Sequence, residues 1–316
     1  MNRDSNPIRP RGETQAVGLL AVIPARKGSK GIPGKALRTV AGVPLVLQAL
    51  RTVQSSNVAD RIIVSTDWPE LRDFCELRGF ETLERPDELA TDEAPLAGVA
   101  RHAVEALEWE GEVGLFQPTC PLLRPETIQR AVADFNRSTD LDWMISAPFD
   151  SHIHWWRGRL IGERVNRQHR EMLCVESGAI QLMTAEYALT GEGKMAPWIA
   201  MPPREALDID TPDDLLLAER LASIRRIHFV VAYGHEVGTG HYHRCAHLAR
   251  VLGHHELSWE WVGEEGPTTP APPPTNCADI TVFDCLAVPE RRLLAARAEG
   301  KVVVLEAEGA ESGRLA

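Results

Sequence analysis

A chain of 316 residues is longer than one average domain, and 44% hydrophobic with 25% charged residues indicates a globular protein with a sizeable core. The formal net charge of −11 argues against nucleic acid and anionic membranes as general partners. Residues 1–16 are polar and lack the apolar stretch of a signal peptide, and no run approaches the length of a membrane span. The six cysteines are scattered without a Cys-x-x-Cys pair, which favours reduced thiols. We therefore expect a cytoplasmic protein.

Short runs rich in β-branched residues alternate with segments of helical spacing over the first two thirds of the chain. The predicted strands span residues 19–23, 61–65, 113–117, 144–147 and 179–182. The predicted helices span residues 44–54, 69–78, 95–109, 125–135 and 213–224. This alternation predicts an α/β fold whose mostly parallel sheet is covered by helices on both faces. Ligands bind to such sheets at the carboxyl ends of the strands.

The alternation starts again beyond residues 223–226, where we expect a domain boundary. The predicted strands of this second part span residues 227–232, 258–262, 280–283 and 302–305, and a predicted helix spans residues 245–252. We therefore expect a flexible tail over residues 1–16, a Rossmann-like α/β domain over residues 17–224 and a second, smaller α/β domain over residues 225–316.

The most informative segment follows the first predicted strand directly. Residues 23–35 read Ile-Pro-Ala-Arg-Lys-Gly-Ser-Lys-Gly-Ile-Pro-Gly-Lys. The glycines allow backbone N–H groups to turn toward a ligand, and the cations neutralise phosphate charge. These cations are Arg26, Lys27, Lys30 and Lys35. The spacing is one residue too long for a Walker A loop, and Ala36 replaces its Ser or Thr. The segment predicts a polyphosphate-binding loop; a solvated basic turn is the alternative.

Two carboxylates, Asp208 and Asp210, stand two residues apart just before a predicted helix. In an extended segment both side chains point to the same face, an arrangement that suits a hard cation such as Mg²⁺. The alternative is that Asp210 only caps the helix that begins near Pro212. Because a triphosphate needs a metal as well as cationic side chains, we favour the metal site.

Three further segments contain residues that are typical of binding sites. A charged loop at residues 84–92 carries Arg85, which could reach a phosphate or a sugar. Two prolines fix a turn after the third predicted strand, and this turn presents Gln117 and Thr119. Residues 167–170 concentrate cations, as a substrate with a carboxylate would require. Taken singly, each segment is more typical of a surface turn or a solvated run of charges.

Six motifs occur in one order: the basic loop, Asp60-Arg61-Ile62-Ile63-Val64-Ser65-Thr66-Asp67, Arg85-Pro86-x-Glu-Leu-Ala-x-Asp92, Gln117-Pro118-Thr119-x-Pro121-Leu122, Gly178-Ala179-Ile180 and Asp208-Ile209-Asp210-Thr211. Over roughly residues 18–221 this order closely resembles the acylneuraminate cytidylyltransferases, or CMP-sialic acid synthetases. The resemblance implies a homodimeric nucleotidyltransferase with a Rossmann-like fold. Such an enzyme uses Mg²⁺ to transfer CMP from CTP to a nine-carbon (nonulosonic) 2-keto sugar acid and releases pyrophosphate.

The resemblance also implies roles for individual residues. The CTP-binding set is Ala25, Arg26, Gly28, Ser29, Lys30, Lys35 and Arg85. The sugar acid would contact Gln117, Thr119, Arg167 and Gln168, and the metal ligands would be Asp208 and Asp210. The expected catalytic residues are Arg26, Lys35 and Asp210, of which Asp210 would also help to draw the proton from the attacking hydroxyl group.

Four positions depart from the pattern of this family. Ala36, Cys120, Ser177 and Gln181 stand where the family usually has Asn, Ser, Asn and Tyr. These changes leave the phosphate and metal groups intact, so they concern the substrate more than the chemistry. They keep open a related nucleotidyltransferase that acts on an octulosonic acid or on a sugar acid of secondary metabolism. A non-catalytic nucleotide-binding module is the alternative from another class.

The second part carries a weaker resemblance. Residues 237–245, Val-Gly-Thr-Gly-His-Tyr-His-Arg-Cys, are similar to the start of the UDP-sugar hydrolases of the pseudaminic acid pathway, which have a GT-B-like fold. The catalytic His of that family corresponds to His241. A full hydrolase needs two half-domains, which residues 225–316 are too few to form. We therefore expect residues 17–224 to be a cytidylyltransferase domain and residues 225–316 a partial GT-B-like domain with a vestigial site.

Overall fold

A computed structural model describes most of the chain. The described residues are 18–28, 31–138, 140–150, 152, 154–157, 159–161, 165–166, 169, 173–235, 239–253, 255–263, 278–285 and 290–306. They divide into two compact units, of which the first ends at Glu219 and the second begins at Arg220. The predicted N-terminal tail, residues 1–16, lies outside the described residues.

The first unit contains one large sheet and three small ladders. Its described strands are β1 (Leu19–Pro24), β2 (Thr39–Val40), β3 (Val43–Pro44), β4 (Arg61–Thr66), β5 (Glu81–Glu84), β6 (Glu112–Phe116), β7 (Trp143–Ser146), β8 (Phe149–Asp150), β9 (His154–Trp156), β10 (Arg159–Ile161), β11 (Leu173–Cys174), β12 (Ile180–Thr184) and β13 (Met195–Trp198). Seven of these described strands form a sheet in the order β13-β7-β12-β6-β1-β4-β5. Within this sheet β12 runs antiparallel to β6 and β7, and the other neighbours pair in parallel. The mostly parallel sheet predicted from the sequence is confirmed.

Helices cover both faces of this sheet. They are α1 (Leu45–Ser56), α2 (Pro69–Glu76), α3 (Leu96–Leu107), α4 (Pro125–Arg137) and α5 (Ala185–Thr190). A further helix, α6 (Pro212–Ala222), follows β13 along the chain. Residues of β1 point alternately to the two faces, as the period of a strand requires. Leu19, Ala21 and Ile23 belong to the core that includes α1, α2 and α4, whereas Leu20 and Val22 pack in the core with α3 and α5. The uniformly apolar sequence of β1 therefore reflects burial on both sides.

The strand order places a crevice beside β1. Within the sheet, β4 is the neighbour of β1 on one side, and β6, which comes later in the chain, is its neighbour on the other side. Where the strand order reverses in this way, the loops at the carboxyl ends of the two neighbouring strands diverge and leave room for a ligand. The basic loop after β1 and the turn after β6 lie at this point.

The second unit is a smaller α/β sheet. Its described elements are β14 (Arg226–Tyr233), α7 (Gly240–Val251), β15 (Glu256–Gly263), β16 (Ile280–Asp284), α8 (Glu290–Glu299) and β17 (Lys301–Glu306). The strands are all parallel, in the order β15-β14-β16-β17. Alternate residues of β14 again face two cores, with Phe229 and Val231 on one side and Val230 and Ala232 on the other.

Helix α7 begins earlier than the sequence predicts, at Gly240 rather than Cys245. The cause is a long-range contact. The fully buried carboxylate of Asp284, at the end of β16, accepts a hydrogen bond from Nε of Arg244 at 2.8 Å and lies 2.8 Å from Nδ1 of His241. Charge-assisted bonds of this kind hold the first turns of the helix against the strand. Among the described residues, no helix is long and apolar enough to cross a membrane.

Candidate active site

A cavity of about 270 Å³ opens where β1 and β6 end. Its described lining comes from segments that are distant in sequence, at residues 24–26, 35–36, 85–99, 117–119 and 208–210. Most of the residues that the sequence suggested for a site line this cavity: Ala25, Arg26, Lys35, Arg85, Gln117, Thr119, Asp208 and Asp210. Gly28 is not among the described lining residues, and His241 belongs to the second unit. Ser29, Lys30, Arg167 and Gln168 lie outside the described residues.

Two glycines let the basic loop fold against the acidic segment. Gly34 has a φ of 65°, in the left-handed region that glycine adopts without strain, and it leads into a short 3-10 helix, Lys35–Leu37. A Cβ at Gly31 would overlap the backbone carbonyl oxygen of Asp210. The loop and the Asp208–Asp210 segment are therefore in direct backbone contact, although 175 residues separate Lys35 from Asp210 in sequence.

A side-chain contact links the same two segments. Nζ of Lys35 donates a hydrogen bond to Oδ1 of Asp210 at 2.9 Å. The Lys35 side chain is 12% exposed and that of Asp210 is 74% exposed. The last cation of the loop thus lies beside an accessible carboxylate at the edge of the cavity.

Arg26 reaches across the cavity to the charged loop. Its Nη2 donates to Oδ1 of Asp92 at 2.5 Å, and its Nη1 donates to the backbone oxygen of Ala90 at 3.3 Å. Both acceptors lie just after a short 3-10 helix, Asp87–Leu89, within the segment that the sequence predicted as a charged loop. Asp92 was not among the predicted site residues, because its pairing with Arg26 depends on contacts between loops.

Arg85 is buried, and its guanidinium is held by one residue. Nε donates to Oγ of Ser65 at 3.2 Å and Nη2 donates to the backbone oxygen of Ser65 at 2.7 Å. Burial lowers the pKa of this guanidinium to about 10. Arg85 forms no ion pair with the residues that the structure describes, and the buried charge lines the cavity. Because a buried cation gains from an anionic partner, Arg85 is suited to an anionic ligand.

The acidic segment is extended, so its side chains alternate. Ile209 is fully buried between Asp208, which is half-buried, and Asp210, which is exposed. The backbone N–H of Ile209 donates to the oxygen of Thr119 at 2.9 Å, which ties this segment to the turn after β6. Burial raises the pKa of the Asp208 carboxyl, a hydrogen bond from the Thr119 side chain lowers it, and the charge of Asp210 raises it again.

These carboxylates fit a divalent cation. Oδ1 of Asp208 is buried and accepts no hydrogen bond from any described residue. An unsatisfied carboxylate oxygen is costly to bury, and a cation would compensate it. Mg²⁺ is bound in proteins by one or two carboxylates together with water and phosphate oxygens. Asp208 and Asp210 would supply the carboxylates at this edge of the cavity.

The alternative role for Asp210, as a helix cap, is wrong. The start of α6 is closed by Thr211 and Asp214: the backbone N–H of Thr211 donates to Oδ2 of Asp214 at 2.8 Å, and that of Asp214 donates to Oγ1 of Thr211 at 3.2 Å. This is a reciprocal capping box, for which the Thr-x-x-Asp spacing was visible in the sequence. The carboxylate of Asp210 is thereby left to face the cavity.

The four departures from the family pattern occupy different environments. Ala36 is buried and lines the cavity. Cys120, Ser177 and Gln181 are not among the described lining residues. Cys120 is buried, and burial raises the pKa of its thiol well above the usual value. The Ser177 hydroxyl lies 2.8 Å from that of Ser146. Among the described positions, Ala36 is therefore the departure that can alter the cavity directly.

Comparisons with known proteins agree with this geometry. A family model described as "Cytidylyltransferase" matches residues 20–149. The chain is 31% identical over 232 residues to the CMP-N,N'-diacetyllegionaminic acid synthase of Legionella pneumophila subsp. pneumophila, a match that covers 66% of this chain and 97% of that protein. It is 29% identical over 213 residues to an N-acylneuraminate cytidylyltransferase of Streptococcus agalactiae, covering 62% of this chain and 51% of that protein. The chain thus spans about half the length of this second relative.

A solved structure supports the same fold. The structure of CMP:2-keto-3-deoxy-manno-octonic acid synthetase complexed with CTP is similar, with a TM-score of 0.52 and 16% sequence identity over 65% of this chain and 98% of that chain. At this identity the likeness shows the fold alone. The decisive finding is the match to nearly the whole length of the Legionella protein. The chain belongs to the cytidylyltransferase family, which includes the N-acylneuraminate cytidylyltransferases.

Proposed function

We propose that this protein transfers CMP from CTP to a nonulosonic, sialic-acid-like 2-keto sugar acid and releases pyrophosphate. The observation that carries the proposal is the convergence of two groups in one cavity. Arg26, Lys35 and Arg85 bring positive charge for a triphosphate, and Asp208 and Asp210 bring carboxylates for a divalent cation. The similarity to a CMP-N,N'-diacetyllegionaminic acid synthase supports the class of sugar acid.

In the proposed reaction the anomeric hydroxyl of the sugar acid attacks the α-phosphorus of CTP. A P–O bond forms as the bond to the bridging oxygen breaks, and pyrophosphate leaves with the electron pair of that bond. Asp210 accepts the hydroxyl proton, and Arg26 and Lys35 offset the charge that develops on the phosphates. Mg²⁺, when bound at Asp208 and Asp210, supplies further positive charge there. The protein mainly positions the two substrates and neutralises the charge of the phosphate groups.

The sugar acid is proposed to lie beside the turn after β6. Gln117 and Thr119 line the cavity there, and both offer polar side chains to hydroxyl or carboxylate groups. The assignment of Arg167 and Gln168 to the sugar acid follows from the family resemblance, and Arg167 is the natural partner of the substrate carboxylate.

Pyrophosphate release in the presence of Mg²⁺, CTP and a panel of nonulosonic acids tests the proposal. We expect turnover with CTP and at least one nine-carbon 2-keto acid, because Arg26, Lys35 and Arg85 line the same cavity as Asp208 and Asp210. Turnover with an octulosonic acid alone would favour the related nucleotidyltransferase. CTP binding in calorimetry without turnover of any sugar acid would instead indicate a non-catalytic nucleotide-binding module.

Gly31→Ala is expected to weaken CTP binding by roughly tenfold, because the added Cβ overlaps the Asp210 carbonyl and must push the basic loop away from the acidic segment. Gly240→Ala is the matched control, since a Cβ at Gly240, in the second unit, meets nothing within 4 Å. Calorimetric titration of both variants with CTP measures the difference. Equal affinities in the two variants would show that the packing of the loop on Asp210 does not position the phosphate groups.

We further propose a homodimer that works in the cytoplasm with reduced thiols. Apolar side chains exposed on the small ladders and beside them, at Phe149, Ile161 and Val175, support an interface between two copies. The described cysteines are all free thiols, as a reducing compartment would maintain them. A mass of one chain in light scattering would contradict the dimer.

For the second unit we propose an accessory role, as a partial GT-B-like domain over residues 225–316 with a vestigial site at His241. Nδ1 of His241 lies 2.8 Å from the carboxylate of Asp284, which also accepts bonds from Arg244 and from the thiol of Cys245. These contacts hold α7 against β16, which supports a structural use of the cluster. Hydrolysis of a UDP-sugar by the protein would contradict the proposal.

A further inference from the structure

We propose that the Asp92 carboxylate competes with phosphate groups for Arg26. This competition lowers the affinity of the site for polyphosphates and so promotes the release of pyrophosphate. The proposal rests on the proposed function in one respect, that Arg26 binds phosphate groups. It concerns a residue to which neither the sequence motifs nor the reaction chemistry assigns a task.

The contact between the two side chains is direct and lies at the cavity. Nη2 of Arg26 donates to Oδ1 of Asp92 at 2.5 Å, and both residues line the cavity. The side chains are 29% and 28% exposed, so the pair is neither sealed in the core nor free in solvent. The backbone oxygen of Ala90 occupies a further donor, Nη1, at 3.3 Å. Some of the guanidinium N–H donors that Arg26 would offer to a phosphate group are therefore already hydrogen-bonded within the protein.

The other cations of the cavity differ from Arg26 in this respect. Lys35 is paired with Asp210, a carboxylate that the reaction needs as a metal ligand and proton acceptor. Arg85 makes its hydrogen bonds to Ser65 and has no ion pair within the described part of the chain. Asp92 thus differs from Asp210: it pairs with a cation that is proposed to bind phosphate, but it has no role of its own in the proposed reaction.

A phosphate group that approaches Arg26 must either displace the Asp92 carboxylate or accept a like charge as its neighbour. Both alternatives cost binding free energy. Partly exposed ion pairs are weak, so CTP, which has several other anchors, still binds. Pyrophosphate lacks the nucleoside and is bound mainly by the cations. The free energy lost at Arg26 is therefore a larger share of its total binding free energy. As pyrophosphate leaves, Asp92 takes its place on Arg26.

The test compares Asp92→Asn with Glu93→Gln. Both variants remove one negative charge from adjacent exposed positions, but Glu93 does not line the cavity and forms no ion pair with a described residue. Calorimetry with inorganic pyrophosphate and Mg²⁺ gives the dissociation constant, and inhibition of CMP transfer by pyrophosphate gives a second measure. We expect Asp92→Asn to bind pyrophosphate about twofold to fivefold more tightly than the unmodified protein, and Glu93→Gln to bind it with unchanged affinity.

A third comparison isolates the partner. In an Arg26→Ala background the competition for Arg26 is absent and only the repulsion between like charges remains, so adding Asp92→Asn is expected to raise the affinity for pyrophosphate by a smaller factor than in the unmodified protein. Thermal melts of all variants report whether they fold.

Three outcomes would overturn the proposal. Unchanged or weaker pyrophosphate binding in Asp92→Asn would exclude competition, and tighter binding of equal size in Glu93→Gln would indicate a general effect of net charge. A gain in affinity that is equally large without Arg26 would show that Asp92 does not act through Arg26. If CTP and pyrophosphate both bind and only these comparisons fail, the proposed function stands. If neither ligand binds, both proposals fail.

Discussion

Asp210→Asn is expected to lower the rate of CMP transfer at least a hundredfold. The substitution keeps the size of the side chain but removes the negative charge that would hold the cation and accept the proton. It also removes the charge that pairs with Nζ of Lys35 at 2.9 Å. A hundredfold loss corresponds to about 2.7 kcal/mol of transition-state stabilisation, which is within the range of a single electrostatic group in an active site.

The structure separates this effect from a loss of folding. Asp210 is 74% exposed, and the cap of α6 is made by Thr211 and Asp214, so the variant is expected to melt at the same temperature as the unmodified protein. Asp213→Asn is the matched control, because Asp213 is an exposed acid in the first turn of the same helix and does not line the cavity. Steady-state rates of pyrophosphate release compare the two. Near-normal activity of Asp210→Asn would show that its assigned role is wrong.

Arg26→Ala is expected to cost a similar factor, at least a hundredfold in rate. The guanidinium that offsets charge on the transferring phosphate is lost, and the carboxylate of Asp92, 2.5 Å from Nη2 of Arg26, no longer has that cation between it and the ligand. The loss therefore combines a missing cation with an added repulsion. Arg26→Lys restores the charge without the planar fork, so we expect an intermediate rate.

Lys27→Ala is the matched control for Arg26→Ala. Lys27 is the next cation along the chain, but it does not line the cavity, and its Nζ lies 3.8 Å from Glu70 at the surface. Rates measured at saturating CTP and across CTP concentrations separate an effect on the chemical step from an effect on binding. Equal losses in Arg26→Ala and Lys27→Ala would mean that the loop acts through its overall charge rather than through Arg26.

Much of the fold could be predicted from local pattern. The apolar run of β1, the helices with apolar residues on one face and their alternation depend on the periods of strands and helices, which any short stretch of sequence expresses. The antiparallel β12 and the edge strand β13 could not be predicted in the same way. Strand direction and order depend on which distant segment supplies the hydrogen-bond partners, and no local period encodes that choice.

For the candidate site, too, the sequence predicted some features and the tertiary structure was needed for others. The glycines and cations that follow the first strand indicated a phosphate-binding loop, with a solvated basic turn as the alternative. The Asp-x-Asp spacing left a metal site and a helix cap open, and the neighbouring loop favoured the metal site. The tertiary structure excluded the cap for Asp210, because Thr211 and Asp214 cap α6. It also joined the loop to the acidic segment through the close approach at Gly31.

By itself, then, the sequence determined which cationic and acidic side chains this protein has for the proposed site, and the order in which they occur. Only the tertiary structure decided which of them meet. The ion pair between Arg26 and Asp92 joins residues 66 positions apart, and that between Lys35 and Asp210 joins residues 175 apart. The physical reason is that charge and hydrogen-bonding capacity belong to single residues, whereas the distance between two charges is set by the packing of the strands and loops that carry them.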